Sequence, residues 1–128
     1  MGDSRTERRA LLYSCSGCSR VAQLANHLAV RLDLEGYAEM SCIAGIGGDV
    51  PSLVRKLERA TQTGRAVVAI DGCVLACARH SLLRHGVEPT RHLRLDRLGI
   101  RKVYGADFDP QDVEKSYAEL RRLLEELE

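Results

Sequence analysis

Three candidate strands in this chain each end at a cysteine, and each is followed by a segment with helical spacing or a glycine loop leading into one. Leu11-Leu12-Tyr13-Ser14 runs into Cys15-Ser16-Gly17-Cys18. Ala38-Glu39-Met40-Ser41 runs into Cys42. Ala66-Val67-Val68-Ala69-Ile70-Asp71-Gly72 runs into Cys73, with Cys77 four residues further on. Short apolar runs alternating with helical periodicity imply a parallel sheet joined by right-handed crossover helices. All five cysteines then fall at or just past a strand's carboxyl end, where open α/β sheets bind their ligands.

Residues 9–14, 37–42, 65–71 and 91–96 read as strands, and 19–35, 51–63, 73–85 and 110–127 as helices. Ser19 is placed to cap the first helix and Gly36 to end it. Pro51 suits the first turn of the second, where a missing N–H costs nothing. Val113, Tyr117, Leu120, Leu124 and Leu127 mark one apolar face of the last. Residues 44–49 are expected to be a glycine-rich loop and 97–109 irregular. Residues 91–96 alternate with polar His92, Arg94 and Asp96, as an edge strand does.

Strands in a sheet lie roughly 4.8 Å apart, and thiolates on one metal about 4 Å apart. For the cysteines to meet, the first three strands must be contiguous with the first in the middle. The expected fold is therefore a three-layer α/β/α domain with a four-stranded, mainly parallel sheet in the order 2-1-3-4, a flavodoxin- or Rossmann-like half. One domain spans residues 9–128, and residues 1–8 are expected to be a frayed N-terminus.

Charge excludes some functions. The net charge is +1, so nothing favours nucleic acid or an anionic membrane. Phe108 and four tyrosines are the only aromatics, too few for a base-stacking platform. No apolar stretch has the length of a signal peptide's core or a membrane span. A cytoplasmic protein is expected, with a metal ion as partner and no protein partner indicated. In a reducing compartment, an odd set of five cysteines points to metal or redox chemistry, not a disulfide frame.

Three motifs resemble one known family: Cys15-Ser16-Gly17-Cys18, Met40-Ser41-Cys42-Ile43-Ala44-Gly45-Ile46-Gly47-Gly48, and Asp71-Gly72-Cys73-Val74-Leu75-Ala76-Cys77-Ala78. In this order they are similar to the DGC-domain family, over roughly residues 9–110. The resemblance implies zinc binding through cysteines and assigns no activity. Family members often carry proline where this chain has Val74, a change that leaves the cysteines in place.

The candidate metal ligands are Cys15, Cys18, Cys42, Cys73 and Cys77, for one Zn²⁺ per chain. Cys15 and Cys18 have chelating spacing at a helix N-terminus, which favours thiolates. Cys42 and Cys73 would complete a four-cysteine set. Cys77, expected one helical turn beyond Cys73, would either replace one member or remain a free thiol. Asp71 reads first as a helix cap, and second as a group supporting a ligand. Gly72 is expected to supply a turn conformation. Gly45, Gly47 and Gly48 fit no GxGxxG or P-loop register and are read as room for close backbone approach. His80 is expected to face solvent or core, and His27, His85 and His92 lie away from the strand tips. No Ser-His-Asp set or paired carboxylates can be assembled there. The alternatives are a thiol–disulfide enzyme using Cys15 and Cys18, an iron–sulfur protein, and sulfur transfer through Cys77.

Overall fold

The computed structural model describes residues 9–128. The frayed terminus expected over 1–8 lies outside the described residues. Four strands form one sheet: β1 (Leu11–Ser14), β2 (Glu39–Met40), β3 (Val67–Asp71) and β4 (Arg91–Arg94). Every pairing is parallel, and the spatial order is β2-β1-β3-β4. Leu11 to Ser14 register with Val67 to Ile70, and Leu11 and Leu12 with Glu39 and Met40.

Five α-helices accompany the sheet: α1 (Arg20–Leu34), α2 (Ile43–Gly47), α3 (Pro51–Gln62), α4 (Cys77–Arg84) and α5 (Pro110–Glu125). Because side chains alternate along a strand, β1 and β3 feed two cores. Leu12, Val68 and Ile70 pack with α1 and α5 through Leu24, Leu28, Leu32, Tyr117 and Leu120. Leu11, Tyr13, Val67 and Ala69 pack with Ile46 of α2, Leu57 of α3 and Leu82 of α4. The central strands are buried at every position, which their unbroken apolar runs require.

Ser19 caps α1, its hydroxyl accepting from the Ala22 N–H at 3.2 Å, and Gly36 follows the helix in the left-handed region at φ +85°. Four expectations are corrected. The stretch expected as a glycine loop contains a short helix, α2. Gly45 serves its packing: a Cβ there would lie 2.0 Å from Leu53 Cδ1 on α3. Its smallness is taken up by a helix contact, not by approach to a metal. The helix expected over 73–85 begins only at Cys77, because Gly72 to Ala76 make an irregular turn with Ala76 left-handed at φ +48°. Gly72 has no positive φ. It is small because a Cβ would lie 2.7 Å from the backbone carbonyl carbon of Val21 in α1.

Candidate metal centre

β1 and β3 deliver their cysteines side by side. The Cys15 N–H donates to the Ile70 carbonyl at 2.9 Å, extending the ladder one residue past β1. The chain then turns through Ser16 and Gly17, and Gly17 takes φ +146°, a value that side-chain-bearing residues rarely adopt. This brings Cys18 round to the N-terminus of α1. From β3, Gly72 donates its N–H to Cys15 Sγ at 3.2 Å, tying the two strand ends together through sulfur.

Cys15, Cys18, Cys73 and Cys77 line one cleft of about 190 Å³. Cys15 and Cys73 are partly buried at its floor, and Cys18 and Cys77 are exposed. Cys42 follows β2, is exposed, and is not among the residues lining this cleft. The strand order expected from the cysteines is observed, yet β2 does not bring its cysteine to the cleft. All five cysteines are free thiols. Cys77 faces the cleft from the first position of α4, and Cys73 precedes that helix, so the turn between them, not one helix face, brings the two together.

The Cys15 thiol is pushed up to about 12. Burial is the main cause, and Asp71, Cys77 and Cys73 add to it electrostatically, against the opposing Gly72 N–H. An isolated Cys15 is therefore a neutral thiol at physiological pH.

Asp71 holds the turn that carries Cys73 and Cys77. Its side chain is 1% exposed, and it caps α4 from a distance. Oδ1 accepts from the Ala78 N–H at 2.8 Å, and Oδ2 from the Arg79 N–H at 3.1 Å. His92 on β4 places Nε2 2.8 Å from Oδ2 and donates to it. The capping role expected for Asp71 is observed, with a histidine partner that its position on an edge strand did not suggest. His80 is exposed, His27 stacks on Phe108 with ring centroids 4.7 Å apart, and His85 contacts the Ile46 carbonyl. None of the four histidines lines the cleft.

Residues 101–105, expected only to be irregular, cross one side of the cleft. Val103 accepts the Arg20 N–H at the start of α1, Gly105 donates to the Cys18 carbonyl, both at 2.9 Å, and Tyr104 forms a bridge with Ser19. The segment delivers Lys102, whose Nζ lies 3.4 Å from Cys73 Sγ, and Tyr104, which lines the cleft and is 67% exposed. No local sequence signal marks this segment, because backbone hydrogen bonds to the CxxC turn position it.

Among the described residues, no three His, Cys, Asp or Glu side chains stand together in a metal-holding arrangement. The chemistry of the cleft nevertheless suits a soft or borderline metal. Its donors are four sulfurs, and its one carboxylate is committed to α4 and His92.

Comparison with known proteins places the chain in a family. The DGC domain family model matches residues 11–120. The anaerobic and virulence modulator AnvM of Pseudomonas aeruginosa is 56% identical over 114 residues, covering 89% of this chain and 84% of that protein. No solved structure matches. The match extends from β1 well into α5, and the chain belongs to the DGC-domain family.

Proposed function

We propose that this chain is a zinc-binding protein whose metal is held by Cys15, Cys18, Cys73 and Cys77, one ion per chain. One observation carries the reading: these four cysteines, from two adjacent strand ends, line a single cleft. Four cysteine sulfurs are a complete tetrahedral set for zinc. Among the described residues no three such side chains are grouped as a metal needs, so closing the set requires the exposed Cys18 and Cys77 side chains to move. Cys42 then remains as the free thiol. A four-sulfur site with two partly buried and two exposed ligands suits metal handling or sensing better than a structural clip. The sheet already has two apolar cores, so folding is expected not to require metal, unlike that of a small zinc finger. A relative named as a modulator is consistent with such a role. Five free thiols suit the reducing cytoplasm, where we place the protein. No described helix is long and apolar enough to cross a membrane.

The test is metal content by plasma mass spectrometry on untagged protein, for the wild type, Cys42→Ser and Cys73→Ser. The reading expects about one zinc per chain in the first two and a large loss in the third. A Cys42→Ser protein that loses its metal would overturn this ligand set. Brown protein containing iron would favour a cluster instead. Thiol–disulfide exchange is the second reading, favoured by exposed Cys18 at the N-terminus of α1. The raised pKa of Cys15 counts against that residue as an attacking thiolate. Metal-free protein with a reversibly reducible Cys15–Cys18 disulfide would establish the exchange reading.

A further inference from the structure

Of the described residues lining the cysteine cleft, Lys102 alone carries a positive charge. Its ammonium points at a sulfur: Nζ is 3.4 Å from Cys73 Sγ and 4.5 Å from the centroid of the Tyr104 ring. No carboxylate of the described residues pairs with it. Its backbone lies in the 101–105 segment, hydrogen-bonded to both the CxxC turn and the first N–H of α1. The segment that holds Cys18 thus also carries the cation that meets Cys73.

Four thiolates around a divalent ion carry a net charge of −2. A partly buried cleft penalises such a charge, and an ammonium donating to one sulfur reduces it. Asp71, the other charged residue among the described residues lining the cleft, has the wrong sign and is occupied by α4 and His92. We propose that Lys102 is the positioning residue of the metal site: it donates to Cys73 Sγ, fixes that side chain toward the cleft and balances the charge of the thiolate set. This inference rests on the four-cysteine reading above. It adds that affinity is set from outside the ligand set, by a residue that no cysteine motif contains. Tyr104 supports it by holding the ammonium over its ring.

Zinc affinity measured by competition with a chromophoric chelator tests this, using Lys102→Met, Lys102→Arg, and each change again in a Cys73→Ser background. Replacing a group that supports a metal ligand typically weakens binding by about 10–100-fold, and that loss is expected for Lys102→Met. Lys102→Arg should recover most of it, since the charge and the donor remain. In Cys73→Ser, Lys102→Met should add little, because the sulfur it acts on is gone. The ¹¹³Cd resonance of cadmium-loaded protein should shift in Lys102→Met and return toward the wild-type position in Lys102→Arg. Affinity of Lys102→Met within about twofold of wild type would overturn the inference, as would an equal loss with and without Cys73. Wild-type protein that takes up no zinc would overturn the four-cysteine reading itself, and this inference with it. Wild type that binds zinc with an unaffected Lys102→Met variant would remove only the role of Lys102.

Discussion

Asp71 offers the sharpest test of how the cysteine cleft is held. In Asp71→Ala the N–H groups of Ala78 and Arg79 lose their acceptor, and His92 loses its partner. Loss of a helix cap costs about 0.5–2 kcal/mol, and each buried N–H left unpaired about 1–3 kcal/mol. Removing the buried carboxylate's own desolvation cost, and admitting water to the gap, offset part of this. The expected net loss is therefore about 2–4 kcal/mol, a large share of the roughly 5–15 kcal/mol that holds a domain together. Asp71→Asn keeps one acceptor oxygen. Its amide can serve Ala78 through oxygen and His92 through nitrogen, leaving Arg79 unpaired, and costs about 1–2 kcal/mol. The assay is urea unfolding at neutral pH in reductant, read as a shift in midpoint at constant slope. Cys77 sits at the first position of α4, so its alkylation in the native state should accelerate in the same order, wild type, Asn, Ala. Asp71→Ala within about 0.5 kcal/mol of wild type, the range of an inert surface change, would refute the remote-cap argument.

Other outcomes follow from the same geometry. Gly72→Ala should destabilise by about 1–3 kcal/mol, because the new Cβ meets backbone of α1 at Val21, which cannot swing away. Gly45→Ala should cost less, since its closest contact is the tip of the Leu53 side chain; thermal melts of the pair rank the two, and the reverse order would count against the packing argument. Burial opposes ionisation of Glu39, but Lys56 at 2.6 Å and Arg65 at 2.7 Å outweigh it and hold its pKa below the usual glutamate range. A lowered folded-state pKa contributes stability that is complete above the unfolded value and lost as pH falls through the folded one. Glu39→Gln should therefore flatten acid destabilisation below about pH 4.5, measured by urea unfolding across pH, and an unchanged profile would exclude this contribution. Ser14 carries a buried hydroxyl without a partner among the described residues, so Ser14→Ala should be neutral or stabilise by up to about 1 kcal/mol in the same urea assay; a clear loss would mean that the hydroxyl is paired in solution.

The topology was legible because the sequence pattern and the physics of sheets agree. Apolar runs at Leu11–Tyr13 and Val67–Ile70 favour strands covered on both faces, and the α1 spacing with Ser19 and Gly36 marks a helix at both ends. Asking the cysteines to converge even gave the strand order, although Cys42, which helped to set it, stays outside the cleft. The start of α4 was not legible, since Val74 to Cys77 continue a helical pattern while Asp71 draws the cap to Ala78 and Arg79.

The sequence by itself determined that this is a parallel α/β domain with its cysteines at the strand ends, because periodicity and turn residues are local properties of the chain. Only the tertiary structure decided which cysteines share a cleft, why Gly72 and Gly45 are small, and that His92 and Lys102 stand behind Asp71 and Cys73. Each of these joins residues distant along the chain, 21 positions for Asp71 and His92 and 29 for Cys73 and Lys102. Side-chain contacts across such separations depend on how helices and loops dock against the sheet, and local patterns of residues do not encode that docking.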